Sequence, residues 1–249
     1  MTAARAQSVS WGRAFRSLFL GVLLLLCALA LLPAFRSFGY QFFNTPSGSM
    51  KPTLLVGDYF VAAKYAYGYS RYSLPWSPQL FDGRIFGAQP RYGDVVVFRL
   101  PREPLTDYVK RMVGLPGDRI QVIHGLLYIN GTPVERERIE DLVETDTSGR
   151  VTRGKQWRET LSNGATYVTL DLVDDGYYDN TPVYVVPSGH YFMMGDNRDN
   201  AQDSRIGQFG YVPFENLVGR VDRIIFSIDR GPRSNDFSVR FERIGMAVR

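Results

Sequence analysis

Hydrophobic positions along the chain fall into two regimes. Between Arg16 and Arg36 runs a stretch without a single charge, Ser17 to Phe35, centred on Leu-Phe-Leu-Gly-Val-Leu-Leu-Leu-Leu-Cys-Ala-Leu-Ala-Leu-Leu. As a helix these 19 residues rise about 28 Å, close to the hydrocarbon thickness of a bilayer. Beyond residue 44 the apolar residues come instead in short runs bounded by Gly, Pro, Asn and Asp, the pattern of strands.

An apolar stretch covers Leu54–Val61, and residues 65–92, rich in Tyr, Ser, Pro and Gly, read as a loop. Val95–Leu100 reads as a strand ended by Pro101 and Pro104, and Tyr108–Val113 as a strand stopped by Gly114-Leu115-Pro116-Gly117-Asp118. Arg119–Ile123 and Leu126–Ile129 flank His124-Gly125 as a hairpin, and Asn130-Gly131 offers a type I′ turn. Tyr167–Val173, Val183–Val186, Tyr191–Met194 and Leu217–Ile228 carry further strand patterns. Residues 135–165 are polar and charged, with helix-like or irregular character. No strongly amphipathic helix follows the N-terminal run, so the remainder of the chain is expected to be mainly β.

Arg5, Arg13 and Arg16 precede the apolar run and only Arg36 closely follows it. The positive-inside rule then leaves the N-terminus in the cytoplasm and exports the bulk of the chain. Phe38, Tyr40, Phe42 and Phe43 stand where an interfacial aromatic belt would sit. Ala28-Leu29-Ala30 resembles the cleavage site of a removable signal, but the run continues through Leu31 and Leu32, which favours an uncleaved anchor. Either reading exports the rest.

A length of 249 residues accommodates one anchored domain with room for an inserted lobe. The net charge of +4 is scattered and no nucleic-acid recognition motif accompanies it, so the partner it suits is an anionic lipid surface rather than nucleic acid. The single cysteine, Cys27, lies inside the apolar run, which excludes an intramolecular disulfide, a cysteine nucleophile and a Cys-based zinc site.

Ser49 sits in Pro46-Ser47-Gly48-Ser49-Met50-Lys51-Pro52-Thr53-Leu54, where Gly48 permits an unusual backbone angle and the prolines stiffen the turn. Such a turn can hold a hydroxyl in place and aim backbone N–H groups at an oxyanion. Only His124 and His190 could serve as an imidazole base, one in a hairpin loop and one in a turn before a strand. Lys110 is the better candidate. Period-two alternation puts it on one strand face with Tyr108 and Met112, where burial would lower its pKa. At an ordinary lysine pKa about one side chain in 2,500 is neutral at pH 7; a drop of roughly 2–3 units makes it a usable base. The loop 195–205 is rich in Asp, Asn and Arg but lacks the glycine of a calcium loop, and reads as a loop braced by its own Asp–Arg pairs.

Taken in order, these segments resemble the bacterial type I signal peptidases. The resemblance is carried by the N-terminal span, Pro46-Ser47-Gly48-Ser49-Met50 with Pro52-Thr53-Leu54, Gly93-Asp94-Val95-Val96-Val97-Phe98, Asp107-Tyr108-Val109-Lys110-Arg111 and Gly114-Leu115-Pro116-Gly117-Asp118. It closes on Gly195-Asp196-Asn197-Arg198-Asp199-Asn200 and Asp203-Ser204-Arg205. It implies a Ser49 nucleophile, a Lys110 general base, and an oxyanion hole made by the Ser47 hydroxyl and the Ser49 N–H. It further implies a supporting Asp203–Arg205 pair and shallow substrate pockets lined by Phe43, Thr45, Pro46, Met50, Leu54, Tyr108 and Val109. Where many members carry a serine that orients the lysine, this chain has Ala201, so Ser204 or a backbone carbonyl would take over that role.

The resemblance implies a mainly β fold, an antiparallel catalytic core with an inserted lobe behind one transmembrane helix. Residues 1–16 would be cytoplasmic, 17–35 the anchor, 36–118 and 188–249 the core, and 119–187 the lobe. The implied activity is removal of signal peptides from exported precursors at the outer face of the cytoplasmic membrane, after Ala-x-Ala-like sites, with no metal or organic cofactor. A peptidase dedicated to one pilus or conjugation substrate, and a non-catalytic tethered β domain, are the competing readings. Nothing in the sequence signals an oligomeric state.

Overall fold

The computed structural model describes residues 11–74, 76–145, 151–230 and 237–249. It opens on helix α1, Trp11–Phe38. Among the described residues no helix is long and apolar enough to cross a membrane. The side chains described along residues 15–27 are apolar for the most part and exposed.

After α1 the chain is built from antiparallel strands. β1 (Tyr40–Asn44), β2 (Asp58–Ala63), β3 (Val95–Leu100) and β4 (Glu103–Gly114) come first. Two smaller sheets follow, formed by β5 (Arg119–Ile123), β6 (Leu126–Ile129), β7 (Thr132–Pro133), β8 (Glu135–Arg138), β9 (Leu142–Thr145), β10 (Val151–Thr160), β11 (Thr166–Asp171) and β12 (Tyr184–Val185). The chain then returns through β13 (His190–Met194), β14 (Val212–Pro213), β15 (Leu217–Arg230) and β16 (Phe237–Val239).

The large sheet has the order β1-β2-β15-β3-β4-β13-β14, with β16 on β15. Strands β5 to β12 pair among themselves, in the orders β12-β5-β6-β7 and β11-β10-β8, with β9 on β10, and Leu170 of β11 adds one parallel bridge to Asn197 in the loop after β13. Val95–Phe98 explains why the large sheet sits at the centre. Val95 and Val97 bury into one cluster with Met50, Leu54, Phe60 and Ile224, while Val96 and Phe98 bury into another with Tyr67, Met112, Met193 and Leu217. A strand buried on both faces reads as a continuous apolar run, as this one does. A third cluster, including Val113, Phe192 and Met194 from the large sheet and Ile120, Leu127 and Tyr167 from the smaller ones, joins them.

The strands expected at Val95–Leu100, Arg119–Ile123 and Leu126–Ile129 have the observed bounds. The Asn130-Gly131 turn has φ of 55° and 80°, the left-handed pair a type I′ turn requires. One expectation is corrected. Residues 135–165 are not helix-like or irregular where described: they hold β8, β9 and all of the long β10. Their strand character was hidden because charged residues do the packing. Arg136 and Arg138 of β8 lie over the Trp157 ring of β10, and Glu159 of β10 is buried against Arg198. Strand β4 also begins at Glu103, earlier than Tyr108, and takes Pro104 into its exposed end.

Candidate active site

Ser49 lies in the turn between β1 and β2, and three kinds of restraint hold that turn. Its flanks are anchored by apolar burial, since Met50 and Leu54 are fully enclosed in the cluster under the large sheet. Local hydrogen bonds close it: Lys51 N–H donates to the Gly48 carbonyl and Leu54 N–H to the Met50 carbonyl. Finally the loop after β13 grips it. Asn197 N–H donates to the Ser49 carbonyl, and Thr53 Oγ1 donates to Asp196 Oδ2 at 2.5 Å.

Lys110 reaches the same place from β4, where it faces Val96 across the ladder with β3. Its Nζ donates to Ser49 Oγ at 2.8 Å and to the Val109 carbonyl at 2.9 Å. Both side chains are enclosed, with Ser49 8% and Lys110 4% exposed. Burial lowers the Lys110 pKa to about 8, because desolvation penalises the ammonium more than nearby Asp203 and Asp196 favour it. Ser47 Oγ stands 3.3 Å from Ser49 Oγ. The two histidines are elsewhere. His124 occupies the β5–β6 turn, and His190 opens β13 with Nδ1 2.9 Å from the Ser188 carbonyl.

Three buried ion pairs surround the two residues. Asp203 and Arg205 form a two-bond pair at 2.9 and 2.8 Å, and Gly195 N–H donates to Asp203 Oδ2. Arg111, next to Lys110, pairs with Asp196 through two bonds of 2.7 Å and lies over the Tyr167 ring. Arg198 pairs with Glu159 at 2.6 Å. The loop is therefore braced only partly by its own side chains, since two of these pairs reach out to β4 and β10. The pairs leave little freedom to the backbone that carries Gly195 to Asn197, because an unpaired charge at such depth costs several kcal/mol.

Ala201 lies against Gly195: a β-carbon built on Gly195 would stand 2.3 Å from Ala201 Cβ and 2.6 Å from the Ser49 carbonyl oxygen. Of the two groups expected to orient Lys110 in place of a serine at 201, the backbone carbonyl is the one in contact. Ser204 Oγ instead accepts from Met193 N–H at 2.9 Å.

The residues expected to line substrate pockets divide between two places. Phe43 and Val109 pack against the cluster that encloses Met50 and Leu54. Thr45 is buried beside them in sequence, and Pro46 is exposed. Tyr108 lines a cleft of about 440 Å³ together with Ser47, Ser49 and Lys110. The far wall of that cleft includes Asn200, Gln202 and Tyr178. Tyr178, Asn197 and the Arg111–Asp196 pair were not singled out from the sequence. Tyr178 carried no signal at all, but Asn197 and Asp196 stand in a loop already marked by its density of Asp and Asn. Among the described residues no cluster of His, Cys, Asp or Glu could hold a metal ion.

A buried contact between a serine in a turn and a lysine on an interior strand of an antiparallel sheet, beside an open cleft, has the chemistry of a serine peptidase. The family profile of signal peptidase, peptidase S26, matches residues 18–226, and the chain belongs to that family. Within it, signal peptidase I of Rickettsia canadensis is 43% identical over 205 residues, covering 79% of this chain and 76% of that protein. Signal peptidase I of Rickettsia conorii is 44% identical over 205 residues, with 79% and 75% covered. A crystal structure of a signal peptidase I from Enterococcus faecalis V583 aligns at 27% identity and a TM-score of 0.31, over 53% of this chain and 97% of that one. The chain is a serine endopeptidase of the signal peptidase I family, which removes signal peptides from exported precursors.

Proposed function

We propose that this peptidase works through Ser49 as nucleophile and Lys110 as general base. The observation that carries the reading is the 2.8 Å contact from Lys110 Nζ to Ser49 Oγ inside a buried site. With a pKa of about 8, roughly one Lys110 in ten is neutral at pH 7, against one in 2,500 for an ordinary lysine. Neutral Lys110 takes the Ser49 proton as Oγ attacks the carbonyl of the scissile peptide. The tetrahedral oxyanion is stabilised by the Ser49 N–H and the Ser47 hydroxyl, whose oxygen is 3.3 Å from Ser49 Oγ. Lys110 then returns the proton to the departing amine, and water attacks the acyl-enzyme with Lys110 again as base.

Cleavage after a small residue is the specificity proposed here; its support is that Met50 and Leu54 are enclosed, with Phe43 and Val109 packed against them, so these side chains offer a substrate little open depth. The apolar run of α1 serves as a single membrane anchor with its N-terminus in the cytoplasm. Its support is the uncharged stretch Ser17–Phe35, the arginines ahead of it and the exposure of Leu18 to Leu26. The grouping of β5 to β12 into two sheets of their own supports treating 119–187 as an inserted lobe on a core of 36–118 and 188–249. Asp203 and Arg205 hold the backbone behind the two reacting residues.

Incubating the purified full chain with a labelled signal-bearing precursor tests this. Wild type should release the mature protein, while Ser49→Ala and Lys110→Ala should leave the precursor intact over the same period. Processing by Ser49→Ala at near the wild-type rate would overturn the assignment.

A further inference from the structure

We infer that Asn197 is a positioning residue for the oxyanion hole, acting through the peptide group between Gly48 and Ser49. The inference rests on the proposal that the Ser49 N–H receives the oxyanion. That N–H belongs to the same planar peptide unit as the Gly48 carbonyl, so whatever fixes the carbonyl also fixes the N–H. Two donors meet that carbonyl: Lys51 N–H at 3.2 Å and Asn197 Nδ2 at 3.1 Å. A carbonyl oxygen has two lone pairs, and here both are used. The next carbonyl along, that of Ser49, is held by Asn197 N–H at 3.1 Å. A single residue thus grips the peptide units on both sides of the Ser49 α-carbon. The Ser49 N–H itself has no partner among the described residues, which leaves it available to a developing charge.

The other end of the same side chain shows that this contact is what Asn197 provides. Asn197 is 2% exposed, yet its Oδ1 is buried with no hydrogen-bond partner. An orphaned amide oxygen is unfavourable, and an apolar residue at this position would avoid it. Turning the amide over would set Oδ1 against the Gly48 carbonyl oxygen and lose the one bond it makes. The amide is therefore aimed at Gly48 at the expense of its own oxygen. Polarisation adds to position: a peptide whose carbonyl accepts strong hydrogen bonds has a more acidic, better-donating N–H, and buried chains of such bonds reinforce one another.

A donor that acts through the oxyanion hole is felt in the transition state and not in the bound substrate. Asn197→Ala removes Nδ2 and the orphaned Oδ1 together while keeping the backbone bond to Ser49. It should lower kcat about tenfold, less than the 10²–10³ lost with a direct oxyanion donor, with KM and the melting temperature little changed. The apparent pKa of the rate profile should stay where it is in wild type, because Lys110 is untouched. Asn197→Asp, which sets a carboxylate against the Gly48 carbonyl, should lower kcat further. The inference is overturned if Asn197→Ala keeps kcat within twofold of wild type, or if its loss of rate comes with raised KM or a matching loss of thermal stability. Ser49→Ala, measured alongside, separates the two levels. If it is inactive and Asn197→Ala is not impaired, only the role of Asn197 fails; if Ser49→Ala is active, the underlying assignment of Ser49 fails.

Discussion

Lys110 donates a 2.9 Å hydrogen bond to the carbonyl of Val109, the residue immediately before it. With the bond to Ser49 this gives the buried amine two fixed directions, and we propose that the Val109 carbonyl takes the orienting role of a serine at position 201. Ala201 adds no polar atom and lines the cleft beside Lys110.

Restoring a hydroxyl there should therefore change little. Ala201→Ser is expected to keep kcat/KM within about threefold of wild type, a margin of less than 1 kcal/mol in the barrier. Steady-state cleavage of a precursor checks this. A tenfold gain would mean that the Val109 carbonyl orients Lys110 poorly.

Burying Lys110 also has a cost in stability. Its folded pKa, about 8, lies below the ordinary value of 10.5. Between those values the unfolded chain binds the proton and the folded chain releases it, so stability rises with pH across that window. Below about pH 8 the folded protein carries a desolvated ammonium and the deficit is fully present. Lys110→Met removes the deficit. At pH 7 it should stabilise the fold by about 1–2 kcal/mol, once roughly 1 kcal/mol for each lost hydrogen bond is set against the relief of desolvation. Denaturant melts at pH 7 and pH 10 should show that gain shrinking at the higher pH.

Gly195 meets the Ser49 carbonyl and Ala201 so closely that a methyl group has no room, at 2.6 and 2.3 Å. The Ser49 carbonyl cannot move without disturbing its bond from Asn197. Gly195→Ala should lower kcat by about 10²-fold, since misplacement of a reacting group by an ångström carries a penalty of that size. Precursor cleavage and thermal melts on the same sample separate this from global unfolding, which should be modest.

How far the sequence could be read follows from what kind of contact holds each part. The strands through Val95–Leu100 and Arg119–Ile129 are held by apolar side chains and tight turns, and both are local patterns. The strands of 135–160 are held by Arg–Trp stacking and by Glu159 against Arg198, partners far apart in the chain, so local pattern misled there. Ser49 and Lys110 each had a local rationale, a stiff turn and a buried strand face. Their contact across 61 residues became visible only in the fold. Arg111–Asp196 and the grip of Asn197 on the Ser49 turn are likewise properties of the assembled loop, with no periodicity to announce them.

The pH dependence of kcat/KM for precursor cleavage by the full-length wild-type chain tests the pairing of Ser49 and Lys110 most directly. A base that must be neutral to act predicts a rate rising tenfold per pH unit at low pH and levelling through an apparent pKa near 8. The limb should vanish with activity in Lys110→Ala and persist when His124 and His190 are replaced by glutamine. A rate that levels near the ordinary histidine pKa and loses that limb in a histidine variant, or that is unaltered in Lys110→Ala, would contradict it.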